Sequence, residues 1–304
     1  MLIPSSYYRR KALAALKGYW QTALLIALIV NLPTLMMQAF SIFTGNDPVT
    51  RLETVIVSAS RDGVLTDQLL LDQIRKFVNS GSFWTVRGLE LLAWLITPCL
   101  SLGMFRWLSG RLRGRTEPVG VVFSRMRIFF KAIGLQLMII LKVLLWMLPG
   151  IAALTAAMLP VVQATDRQAQ LAAVQRGNSM MLPITLLLVV PAVIAAMRYA
   201  LAEFIMAEKP ESRILGCIRR SKELMRDQKK NLFLLLVSFL LWYLLELLIS
   251  SFLAGTLSLL FQMLAGLALS VYLYCSMIAF WMHLEEAEEN HTDPNAEPAP
   301  EELN

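Results

Sequence analysis

Histidine and cysteine are scarce in this chain, and their scarcity removes whole classes of chemistry. Only His283 and His291 occur, both near the C-terminal tail, and the cysteines are Cys99, Cys217 and Cys275. No CxxC pair or Cys/His cluster is present, so neither a zinc site nor a disulfide framework is expected. No cofactor is expected either. The chain also lacks GxSxG, HExxH and a Walker loop, and it has no paired acidic cluster. Its serines and acids have no base at a spacing that would activate them, so it reads as non-enzymatic. Charge is sparse as well. Asp, Glu, Lys and Arg make up 16% of the 304 residues, below the share of about a quarter that covers a soluble domain.

What is abundant is apolar. Hydrophobic residues make up 57% of the chain and the mean hydropathy is +0.58. They gather in six runs near residues 20–43, 89–108, 133–162, 182–206, 232–253 and 254–284. A bilayer core needs roughly 20 apolar helical residues to cross it, and each run meets that length. The expected fold class is therefore an all-α membrane protein with six transmembrane helices. Residues 1–284 form the membrane domain. The first run is about twice the length of a signal h-region and lacks a small-residue cleavage site, so it is expected to stay as an anchor.

Lys and Arg crowd into alternate gaps. Residues 1–19, 106–131 and 198–231 carry twenty of the 28, the other gaps carry seven, and Lys142 lies within a run. The positive-inside rule then places both termini in the cytoplasm. It also accounts for the net charge of +6 without a nucleic-acid partner. Residues 285–304 are different material, with eight Asp/Glu, no Lys/Arg and three prolines. Such a segment is expected to be a disordered acidic cytoplasmic tail, able to fold back as a screen over the basic face. In the outer loop 44–88, Thr66 is placed to cap a short helix bearing Leu70, Ile74, Phe77 and Val78. The turn at Ala254–Thr256 is so short that the last two spans must form a hairpin.

Each apolar hairpin is preceded by a short basic segment: Tyr8–Lys17, Val119–Lys131 and Pro210–Lys230. This pattern suggests three repeats of an amphipathic helix followed by a transmembrane hairpin. The third segment is the best formed. Pro210 and Glu211 suit a first helical turn, and Ile214, Ile218, Ser221 and Met225 fall on one face. Arg213, Arg219, Arg220, Lys222, Arg226, Lys229 and Lys230 surround that stripe. A basic amphipathic helix is expected to contact anionic lipid or an acidic partner, or else to pack under the bundle with its charges in water.

The stretches Tyr199–Ile205, Glu208–Pro210, Ile218–Met225 and Leu232–Trp242, with Leu145–Gly150 upstream, carry a resemblance. Together they are similar to the bacterial membrane family called domain of unknown function 975, over most of residues 5–283. The chain departs from the usual pattern at Lys209 and at Arg226–Gln228. The resemblance implies a multi-pass protein of the bacterial plasma membrane and brings no established activity.

Within or near the spans, Lys142, Glu203 and Glu246 are the polar candidates. A charge at the bilayer centre costs about 2.5–3.5 kcal/mol on insertion scales, so each invites a functional reading. A Lys142–Glu246 pair would relieve both. Pro149–Gly150 is the strongest candidate for a helix break. Two readings follow. The first is a non-catalytic plasma-membrane scaffold, regulator or assembly component that meets anionic lipid, or a membrane or cytoplasmic protein, through its basic face. The alternative is a transporter or lipid-handling protein with a polar path through Lys142 and Glu246.

Overall fold

A computed structural model describes residues 4–43, 75, 79, 81–163, 167–253 and 255–292. Among these residues there are nine α-helices, one 3₁₀ segment and no strand. In chain order they are α1 (Ser5–Leu16), α2 (Trp20–Phe43), α3 (Gly81–Leu112), the 3₁₀ segment (Val119–Ile128), α4 (Phe129–Gln163) and α5 (Arg167–Tyr199). Then follow α6 (Ala202–Glu208), α7 (Ile214–Leu224), α8 (Lys229–Phe252) and α9 (Gly255–Thr292). Six stretches are long and apolar enough to cross a membrane, at the places the sequence predicts. Their outer surfaces agree. Leu182, Leu241 and Phe252 are 72%, 71% and 81% exposed, and α8 alone exposes twelve large apolar side chains. A soluble protein rarely bares so large a contiguous apolar surface. This is a multi-pass membrane protein.

The spans pair as three hairpins: α2 with α3, α4 with α5, and α8 with α9. Small and polar residues make these contacts close, as expected where lipid gives helices no hydrophobic drive to associate. A Cβ at Gly150 of α4 would meet the Leu188 Cα of α5 at 2.7 Å. At the α8–α9 turn, Ser258 Oγ lies 2.9 Å from Ser250 Oγ and donates to the Ser250 carbonyl at 3.0 Å. The Gln262 amide donates to the same Ser250 hydroxyl.

Three short segments lie at one end of the bundle. The α1 helix packs on α9, α8 and α3; the 3₁₀ segment packs on α3; α7 packs on α6, α4 and α5. The chain turns from α1 into α2 at Gly18, whose φ of +80° is one that glycine adopts without strain. Tyr8, Ala12 and Leu16 are the buried face of α1. The Tyr8 ring meets Phe280 edge-on at 5.3 Å, and Cys275 Sγ lies 3.9 Å from the Ala12 carbonyl. The core is concentrated at this end, in Cys99–Leu108 of α3, Leu201–Ala207 and Cys275–Met282 of α9. The three cysteines are all free and buried. Burial pushes the Cys217 thiol above its ordinary range.

Several expectations need correction. The fourth span is interrupted at Ala200–Leu201, and α6 continues beyond the break. By contrast α4 runs unbroken through Pro149 and Pro160. Pro210 does not open α7. It ends α6, because proline disfavours the helical region for the residue before it, and Lys209 has φ −113° and ψ 76°. The third segment becomes helical only at Ile214. The second basic segment is 3₁₀ rather than α-helical; Gly120 and the β-branched Val119, Val121 and Val122 weaken α-helix locally. Residues 285–292 belong to α9 and not to a disordered tail. The short helix expected after Thr66, and the rest of the acidic tail, lie outside the described residues.

Candidate functional site

The bundle end that holds the three short segments is knotted around α6. Glu208 accepts a hydrogen bond from Ser109 Oγ at 3.0 Å and pairs with Arg113. Arg125, only 7% exposed, donates to the Ala207 carbonyl, and Lys131 Nζ donates to the Pro210 carbonyl at 3.1 Å. Trp107 Nε1 donates to the Glu117 carbonyl at 3.0 Å. Cations at a helix C-terminus satisfy carbonyls that have no partner within the helix. No sequence pattern marks these contacts, because most of the acceptors are backbone atoms 79 to 99 residues away from the donor side chain or are carboxylates at that separation.

One turn deeper, the break after α5 places Glu203 against α3. In α6, Ala202, Phe204, Ile205, Met206 and Ala207 are buried. Glu203 is half-buried instead, because it lines a cavity of about 200 Å³. Trp94, Thr97, Pro98, Ser101 and Phe105 form the opposite wall. Their three- and four-residue spacing puts them on one face of α3. Gln136 of α4 and Tyr274 of α9 complete the lining. The Phe105 ring packs against Phe204 at 4.9 Å and Tyr274 at 5.1 Å, closing one side. Thr97 Oγ1 donates to the Ala93 carbonyl at 2.8 Å, which leaves that hydroxyl able only to accept. The Glu203 carboxylate has no ion pair or hydrogen bond among the described residues. Sequence reasoning identified Glu203 and missed the rest. The polar stripe Thr97–Ser101, flanked by Trp94 and Phe105 on the same face, was the available signal.

The seven basic candidates divide by environment. Cys217, Ile218, Ser221, Leu224 and Met225 are buried, and Ser221 Oγ donates to the Arg198 carbonyl at 3.0 Å. The apolar stripe of the third segment is thus occupied by the bundle and is not free to enter lipid. Arg213, Arg219, Lys222, Arg226 and Lys230 are exposed, and none has an ion pair among the described residues. Arg220 pairs with Glu288 at 2.7 Å, and Lys209 pairs with Glu285 at 3.1 Å. The start of the acidic segment therefore rests on the basic face. Lys229 and Lys230, in the first turn of α8, stand over a groove of about 440 Å³ between α5 and α8. Its other walls are Val189, Val190, Val193, Ile194, Met197 and Phe233.

The remaining candidates do not come together. Lys142 is half-buried on α4, without an ion pair or hydrogen bond among the described residues. Glu246 is half-buried on α8, its carboxylate lying where a Cβ at Gly266 would be 3.6 Å away. The pair that would relieve both charges is not formed. The two residues sit on different hairpins, α4 beside α5 and α8 beside α9.

Residues 1–288 match the model of the family described as protein of unknown function (DUF975), and the chain belongs to that family. No curated protein and no solved structure matches it.

Proposed function

We propose that the protein is a non-catalytic component of the bacterial plasma membrane that engages anionic phospholipid at its cytoplasmic face. The observation that carries this reading is the α5–α8 groove. It is apolar along its length and bears two lysines at its end. That is the chemistry of an acyl chain beneath a phosphate. The positive end of the α8 dipole lies at the same place and favours the same charge. The exposed Arg and Lys of α7 extend the basic surface beyond the groove. Each such side chain near an anionic surface contributes about 1 kcal/mol. The buried stripe of α7 supports an electrostatic contact rather than insertion.

The same reading includes the three-unit organisation. Each amphipathic segment would pack beneath the hairpin of the unit before it: the 3₁₀ segment on the first, α7 on the second and α1 on the third. The ring closes because the first segment meets the last hairpin. Both termini would then be cytoplasmic. Reporter fusions at Asp72 and Asp166 should read outside and those at Arg113 and Met225 inside; an outside signal at Met225 rejects the orientation.

For the lipid contact, the full chain purified with phosphatidylglycerol should retain it over phosphatidylcholine. Replacing Lys229 and Lys230 with Gln should lower that retention by about tenfold or more. Filling the groove with Val193→Trp should lower it with the charges intact. Equal retention of both lipids, or an undiminished preference in the lysine variant, would reject the reading. The alternative of a transport path through Lys142 and Glu246 has lost its pair.

A further inference from the structure

We infer that the cavity around Glu203 is a binding site for a small organic ammonium group. Its charge selects the sign. Glu203 is the one acidic side chain among its lining residues, and no Lys or Arg lines it to neutralise a carboxylate there. An anion would find no cationic partner there and would face the acidic side chain. The neutral groups can all accept from a donor ligand. Thr97 can only accept, since its proton is committed to Ala93, and Ser101, the Gln136 carbonyl and the Tyr274 hydroxyl can also accept. A primary ammonium has three N–H donors, matching a carboxylate and two neutral oxygens.

The walls select an organic cation. Trp94, Phe105 and Tyr274 present aromatic rings beside the carboxylate, and such rings attract alkylammonium groups through their π-faces. Among the described residues no three His, Cys, Asp or Glu come together, so the donor set is poor for a divalent ion. A volume near 200 Å³ exceeds that of one water, about 30 Å³ in the liquid. It accommodates a short alkyl amine. The site also gathers α3, α4, α6 and α9, so residues from all three hairpins meet at it. The interrupted fourth span delivers the carboxylate, as broken membrane helices do at other polar sites.

The ammonium can come from a free amine or from the headgroup of an ethanolamine lipid, and two arms separate these sources. In the first, the purified full chain in detergent is titrated with labelled ethanolamine by equilibrium dialysis. In the second, nanodiscs compare retained phosphatidylethanolamine with phosphatidylcholine. Saturable binding of one equivalent in the first arm identifies a free amine. Retention in the second alone identifies the headgroup. In either arm Glu203→Gln should weaken binding at least tenfold, and equal concentrations of potassium or sodium chloride should not compete. If Glu203→Gln fails to fold, Gln136→Leu keeps the carboxylate and should still weaken binding. Absence of saturable binding in both arms overturns the inference. So does equal binding by a folded Glu203→Gln or by Gln136→Leu, or full competition by alkali cations.

Discussion

Gly103→Ala is expected to destabilise the protein, although the same exchange in a helix ordinarily stabilises. Alanine exceeds glycine by roughly 0.5–1 kcal/mol in a helix interior. At Gly103, however, a Cβ would lie 1.9 Å from the Val122 carbonyl oxygen and 2.5 Å from its carbon. These are backbone atoms of the 3₁₀ segment, so no side-chain rotation relieves the contact. Val122 is itself fully buried and cannot move outward without opening the core. Overpacking of this kind costs about 1–3 kcal/mol and sometimes more. The steric term therefore exceeds the helix term, and thermal unfolding in detergent should report a lower midpoint. Gly88→Ala is the internal control, because it lies in the same helix with nothing within 4 Å of its Cβ. It should be neutral or slightly stabilising. Gly103→Val should fail to accumulate. A Gly103→Ala variant as stable as Gly88→Ala would mean that the 3₁₀ segment does not rest on α3 at this point.

That contact was invisible in the sequence, and the reason is general for this chain. The spans were legible because length and hydrophobicity are local properties. The buried face of α7 was legible because Ile214, Ile218, Ser221 and Met225 keep a helical period. Neighbourhood between spans is not local. Lys142 and Glu246 looked like partners only because each is a lone charge in an apolar run. The α4 helix instead pairs with α5, and α8 with α9. Pro149 looked like a break because proline removes a backbone donor, but a membrane helix can pass through proline unbroken. Gly150 beside it serves the close approach of α5. The actual break falls at Ala200–Leu201, two good helix formers that carry no warning. Glu203 was identified as a costly charge. Its surroundings were not, since Thr97, Ser101 and Gln136 are individually unremarkable in apolar helices.

The short segments add a physical lesson about why a membrane protein has a core at all. The lipid-facing spans leave most of their apolar surface outward, and α4 and α5 bury little of theirs. Burial is greatest where α1, the 3₁₀ segment and α7 close the bundle end. There the chain buries Trp107, Phe280 and Trp281. It also places its charges on backbone carbonyls and on Glu208 and Glu117. The stability of this end thus depends on a few polar joints set in apolar packing.

Arg125 is the joint with the largest expected effect. Its guanidinium donates from Nη2 to the Ala207 carbonyl at the end of α6, linking the 3₁₀ segment to the helix that carries Glu203. Glu208, Glu117 and Glu211 supply negative charge around it, and Arg106 opposes them. Among the described residues its Nε has no hydrogen-bond partner. Arg125→Ala removes a charge-assisted hydrogen bond of about 1.5–3 kcal/mol and leaves the Ala207 carbonyl without it. It also removes a buried stem that packs as an apolar side chain does. The combined loss should be about 3 kcal/mol or more. Arg125→Met keeps most of the stem and loses only the polar joint, so it should fall between wild type and Arg125→Ala. This order tests the physics, because burying a charge is costly and its partners do not always compensate for it. Were Arg125→Met as stable as wild type in thermal unfolding, the guanidinium would contribute packing alone. A midpoint for Arg125→Met well below wild type, with Arg125→Ala lower still, assigns the difference to the bond at Ala207. The same variant should then loosen α6 and weaken whatever binds at Glu203, four residues before that carbonyl.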